Sequence, residues 1–99
     1  MSNRTICCTY PGCDQAATYK IAAAWSDGRF RELKTYGLAC LDHLGEIFHA
    51  AEERWEETPK AAGEVIDEVG IYRIRPGLRD AFLERLWGLE ESYRATSER

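Results

Sequence analysis

Cys7-Cys8-Thr9-Tyr10-Pro11-Gly12-Cys13 and, further along, Cys40-Leu41-Asp42-His43 are the stretches that decide how this chain is read. Pro11-Gly12 between two cysteines is strong turn chemistry, because proline presets one backbone dihedral and glycine tolerates a positive one. Such a turn brings the thiols of Cys8 and Cys13 together. Cys40 and His43 stand three residues apart, which puts both side chains on one face of a first helical turn. There the unpaired amides and the positive end of the helix dipole favour a thiolate. Zinc takes four tetrahedral sulfur and nitrogen ligands, so this spacing predicts one structural Zn2+ held by Cys8, Cys13, Cys40 and His43. Cys7 ranks second as a ligand, because Cys8-x4-Cys13 is the commoner knuckle pattern. His49 is expected on a different helical face, exposed and outside the site.

The rest of the composition sets the frame for that site. With 99 residues, one domain spanning 1–99 is expected, and a metal cross-link would matter to so small a core. The chain is 44% hydrophobic and 30% charged, the balance of a folded protein and not of a disordered one. A net charge of −4 repels phosphate at long range and weakens a nucleic-acid reading. No apolar run is long enough to span a bilayer, and the first residues lack the pattern of a signal peptide. A cytoplasmic protein is therefore expected, and a reducing compartment favours metal over disulfides for four clustered cysteines.

Outward from the two cysteine pairs, the pattern predicts an α+β fold. Residues 1–6 read as a flexible leader. Tyr19, Ile21, Ala23 and Trp25 alternate as a strand does, and Asp27-Gly28 reads as a two-residue hairpin tip. That tip would set Trp25 opposite Phe30, Ala23 opposite Glu32, Ile21 opposite Lys34 and Tyr19 opposite Tyr36. Either face of this hairpin is apolar enough to receive a helix. Leu44, Phe48, Ala51 and Trp55 form the stripe of an amphipathic helix starting near Cys40 and fraying near Thr58-Pro59, where Glu52, Glu53, Glu56 and Glu57 oppose the dipole. Ala62, Val65, Ile66 and Val69 predict a short helix stopped by Gly70. Ile71–Arg75 reads as a third strand ended by Pro76-Gly77. Leu78, Phe82, Leu86, Leu89 and Tyr93, flanked by Leu83 and Trp87, predict a last helix from about Leu78 to about Thr96.

Knuckle, hairpin and helix start, in that order and spacing over roughly residues 7–57, resemble a treble-clef zinc fold. The resemblance implies a metal-stapled fold and carries no partner with it, because the layout serves unrelated functions. Cys8 to Asp14 also looks like the opening of a DNA-reading finger with two cysteines and two histidines. The likeness ends there, since a hairpin follows where the histidine helix should stand.

Four protein ligands close the coordination shell, and three thiolates suppress Lewis acidity, so the site reads as structural and the chain as non-enzymatic. The leading expectation is a protein-interaction module that presents a hairpin face or the wide apolar stripe of the last helix to a protein partner or a second copy. One alternative is nucleic-acid binding through Lys20, Arg29, Arg31, Lys34, Arg73, Arg75 and Arg79, interleaved with tyrosines. Another is a redox or metal-sensing switch in which Cys7 pairs with Cys8 or Cys13 on oxidation. No pattern for a small-molecule substrate or a membrane surface is seen.

Overall fold

The structure, a computed structural model, describes residues 6–59, 62–75, 77–79 and 83–97. Residues 1–5 of the expected leader, together with Lys60, Pro76 and Phe82, lie outside them, whereas the Ile6 carbonyl accepts the Ala17 amide at 2.7 Å. The elements run β1 (Tyr19–Ser26), β2 (Arg31–Ala39), a 3-10 turn (Leu41–His43), α1 (Leu44–Glu57), β3 (Val65–Ile66), β4 (Gly70–Arg73) and α2 (Trp87–Ser97). This is the expected α+β layout of hairpin, helix, added strands and C-terminal helix.

β1 is the central strand. β2 pairs antiparallel along one edge, and β3 and β4 share the other edge end to end, with Trp25 opposite Ile66 and Ile21 opposite Ile71. The 84–86 segment extends the sheet beyond β4, where Leu86 N–H donates to the Ile71 carbonyl at 2.7 Å and Arg73 N–H to the Glu84 carbonyl at 3.0 Å.

α1 covers the face of Ile21, Ala23 and Tyr36 with Leu44, Ile47, Phe48 and Ala51, and these close into one buried cluster with Ile66, Val69 and Ile71. The Leu44, Phe48 and Ala51 stripe is buried as its spacing predicts, while Trp55 is half-buried and donates its indole N–H to the Ile66 carbonyl at 3.3 Å. The helix stops at Glu57, where the Thr58 hydroxyl bonds the Arg54 carbonyl at 2.7 Å and so satisfies one of the orphan carbonyls of the last turn.

Three expectations are corrected. The hairpin turn is longer than the two-residue tip: Ser26 stands opposite Arg31 and Trp25 opposite Glu32, so the pairing of Trp25 with Phe30 is wrong. The cause is the Asp27 carboxylate, which accepts the amides of both Arg29 and Phe30 at 2.9 and 2.8 Å and stabilises a four-residue turn. A bulge between Ile21 and Ala22 then shifts the register again, so that Ile21 faces Gly37 and Ala22 faces Thr35. Tyr36, left without an opposite residue, turns into the core at 7% exposure.

The short helix expected around Ala62–Val69 is absent. Gly63 stands at φ +88, a left-handed turn conformation that no helix accommodates, and Val65-Ile66 pair with β1 as a strand. Their β-branched side chains fit the pleat, and the free backbone of β1 supplies the hydrogen bonds. The last helix begins at Trp87 and not near Leu78, because the 84–86 backbone is committed to β4. Its first turn is closed by the Glu90 amide donating to the Leu86 carbonyl at 3.1 Å. Much of the expected apolar stripe is therefore not helical. Leu89 and Tyr93 pack on the core, and Trp87 points outward at 63% exposure.

Candidate metal centre

The donor atoms of Cys8, Cys13, Cys40 and His43 all lie within 4.8 Å of one another. The knuckle and the 3-10 turn are brought together by β2, whose outer edge straps both. Thr9 N–H donates to the Leu38 carbonyl at 2.8 Å, and the Thr9 hydroxyl accepts the Leu38 amide at 3.2 Å. Cys8 N–H donates to the Gln15 carbonyl at 2.9 Å and Cys13 N–H to the Tyr10 carbonyl at 3.0 Å, which fixes the turn between the two sulfurs. Gly12 sits at φ +84 in that turn, so the glycine read from the sequence is required there. Gln15 Nε2 then reaches Asp42 Oδ2 at 3.3 Å and ties the knuckle to the 3-10 turn.

Cys13 Sγ is 3.9 Å from Cys40 Sγ, and His43 Nδ1 is 3.4 Å from Cys40 Sγ and 3.9 Å from Cys8 Sγ. A tetrahedral zinc with sulfur at about 2.3 Å and nitrogen at about 2.0–2.1 Å spaces its corners by about 3.5–3.8 Å. The donors thus fit one tetrahedral ion, with His43 presenting Nδ1. Three thiolates and a dication would leave one net negative charge, and the backbone amides of Tyr10 and Cys40 at Cys8 and of Gln15 at Cys13 are placed to offset it.

Cys8 and Cys40 are buried at 5% and 3% exposure, so the cluster is part of the core and not a surface appendage. Burial pushes the Cys8 thiol up, but hydrogen bonds from the Cys40 and Tyr10 backbone, then from the Cys40 and His43 side chains, outweigh it and hold it at about 7. At Cys13 the Gln15 amide pulls the thiol down, while burial and the neighbouring Cys8 and Cys40 sulfurs pull harder, and the net direction is up. The sign for metal uptake follows. Above about 7 the folded site holds Cys8 as thiolate, and as pH falls through that value a proton competes for it. Zinc affinity measured against a competing chelator is expected to fall by about tenfold or more between about pH 8 and about pH 6. An affinity independent of pH over that range would contradict thiolate ligation.

Cys7 is exposed and is not among the four donors. It pairs with Ala16 in an isolated antiparallel bridge, and in extended chain the neighbour of an inward Cys8 faces out. His49 lies near Glu52, 3.5 Å from its carboxylate, away from the cluster.

The seven basic residues do not gather on one surface. Arg31 and Arg79 line a cleft of about 610 Å³ with Tyr72. Lys20, opposite Tyr72 in strand register, shares that sheet face, whereas Lys34 stands opposite Ala23 on the face that α1 covers. Arg73 and Arg75 both approach Glu84, at 3.6 and 3.9 Å, and Arg29 sits exposed in the hairpin turn.

Two features have no sequence signal. The Tyr10 ring stacks on the His43 imidazole with centroids 4.0 Å apart and planes 4° from parallel. Fully buried Glu90 accepts two bonds from the Arg85 guanidinium at 2.8 and 2.9 Å and the Ile71 amide at 2.9 Å. Neither the 33-residue gap between Tyr10 and His43 nor the five-residue step from Arg85 to Glu90 matches a helix or strand period.

In order and geometry the cluster, hairpin and helix start make a small treble-clef-like module with a Cys3His ligand set. Comparison with known proteins finds no matching family model, no similar curated protein and no similar solved structure. No helix among the described residues is long and apolar enough to cross a membrane.

Proposed function

We propose that the chain is a non-enzymatic interaction module stapled by one structural Zn2+ on Cys8, Cys13, Cys40 and His43. The convergence of three sulfurs and one imidazole nitrogen within 4.8 Å of one another, with Cys13–Cys40, Cys40–His43 and Cys8–His43 at 3.4–3.9 Å, carries this reading. A complete set of protein ligands leaves no position for substrate or an activated water, so the ion serves the fold. A reducing compartment suits such a site, since it keeps the thiolates free for metal.

Support for a partner surface comes from the start of α2. Trp87 is 63% exposed, its ring lies 3.7 Å from the Arg85 guanidinium carbon, and half-buried Leu86 and Leu89 stand beside it. An exposed tryptophan stacked on an arginine is the composition of an interface anchor. The partner is a protein or a second copy of this chain. Native mass spectrometry of protein purified without added metal tests both halves. One zinc per chain is expected, with a dimer at high micromolar concentration that Trp87→Ala disrupts. A metal-free protein would defeat the zinc reading, and a strictly monomeric mass would confine the partner to another protein.

A further inference from the structure

We infer that Tyr10 is a positioning residue of the metal centre: its ring locks the His43 imidazole in the Nδ1-ligating orientation and governs how fast the ion escapes. This rests on the zinc reading of the cluster. The two rings are nearly parallel and 4.0 Å apart at their centroids, which is face contact. Neutral aromatic pairs gain most in offset or edge-on arrangements. An imidazole that gives its lone pair to a metal is more electron-poor than a free one, which favours face contact with the electron-rich phenol ring.

The place of Tyr10 in the chain makes the contact rigid. Its carbonyl accepts the Cys13 amide at 3.0 Å within the turn that spaces the two knuckle sulfurs, so its backbone moves only if those ligands move. On the other side, His43 belongs to the 3-10 turn directly before α1, and its amide donates to the Cys40 carbonyl at 3.3 Å. With both backbones fixed, the remaining freedom of the ligand is rotation of the imidazole about its own side-chain bonds. That rotation would exchange Nδ1 for Nε2 or swing the ring away from Cys40 Sγ, now 3.4 Å from Nδ1. The Tyr10 ring lies across the path. The first step of metal loss, dissociation of the sole nitrogen ligand, then requires the stack to open.

The test measures transfer of zinc from the loaded protein to an excess of a colorimetric chelator, together with the nitrogen chemical shifts of His43 and the charge-transfer spectrum of the cobalt-substituted protein. Tyr10→Ala is expected to speed release by about tenfold, the scale of one lost stacking contact, while Tyr10→Phe stays within about twofold of wild type. Tyr10→Leu, which fills the space without a π face and guards against misfolding of the alanine variant, is expected to release faster than Tyr10→Phe. The nitrogen shifts should report metal on Nδ1 in wild type and Tyr10→Phe. Wild-type release rates in Tyr10→Leu with Nδ1 still bound would overturn the inference while leaving the zinc site standing. A wild-type protein that gives no cobalt–thiolate bands would overturn both.

Discussion

Stripping zinc with a chelator is expected to unfold the whole chain, not the 7–57 segment alone. The ligands end at His43, but the sheet ties the later strands to them. β1 and β2 lie in the zinc half, yet β3 and β4 hydrogen-bond along the same β1, and Ile66, Val69 and Ile71 share one core with Cys8, Cys40, Leu44 and Phe48. A structural zinc in a small domain contributes on the order of 10–16 kcal/mol of apparent binding energy. The net stability of a domain this size is about 5–15 kcal/mol, so losing the ion removes as much as the fold has to spare. Without the ion, the three sulfurs also face one another with no dication between them, and Cys8 ionises near 7. Far-UV circular dichroism and amide NMR spectra should therefore collapse together on chelation, the β4 and α2 amides included. Cys40→Ser should do the same at ordinary zinc concentrations. A chelated protein whose melting curve is unchanged, or whose β4 amides stay dispersed, would show that the core stands without the staple.

How much of this was legible in the sequence depended on whether the cause was local. The ligand set was readable because knuckle turn and helix start are each specified within a few residues, by Pro11-Gly12 and by the Cys40 to His43 step. The α1 stripe was readable because a 3.6-residue period needs no knowledge of its partner. The register of the hairpin was not, since it turned on a side-chain to backbone choice at Asp27 and on a bulge that only pays off when Tyr36 meets the core. The 62–69 segment failed for a related reason: Ala62, Val65, Ile66 and Val69 suit a helix face, but the unpaired edge of β1 recruits Val65 and Ile66 as a strand. The end of the chain shows the same priority. Backbone pairing of the 84–86 segment to β4 delays the helix to Trp87, and the apolar residues before it are displaced from the stripe they seemed to form. In the last two segments tertiary hydrogen-bond demand overrode local periodicity.

Replacing Glu90 by alanine is expected to destabilise the zinc-loaded protein by about 3–5 kcal/mol, the range for removing one partner from a buried ion pair. Glu90 is the fixed point of α2. One carboxylate oxygen accepts the Ile71 amide at 2.9 Å, both oxygens accept the Arg85 fork at 2.8 and 2.9 Å, and Arg94 approaches at 3.6 Å. In the alanine variant Arg85 loses both of these bonds while still held between the rings of Tyr72 and Trp87, and the Ile71 amide loses its acceptor in the core. Arg94 is affected less, because it also donates to Glu52 at 2.9 Å and to the Val69 carbonyl at 2.8 Å. Gly70 is part of the same arrangement: a Cβ there would overlap the Arg85 guanidinium, so Gly70→Ala should displace Arg85 and weaken the pair. Because the penalty comes from stranding a charge and not from losing an attraction, removing both charges together should cost less than removing one. Arg85→Met combined with Glu90→Leu keeps apolar volume under Trp87 and is expected to recover part of the loss, giving a coupling energy of about 0.5–3 kcal/mol in a double-mutant cycle. Urea unfolding at saturating zinc of the wild type, Arg85→Met, Glu90→Leu and the double variant supplies the four corners. If Glu90→Ala costs less than about 1 kcal/mol, no more than an ordinary substitution, the buried carboxylate is not what anchors α2 to β4.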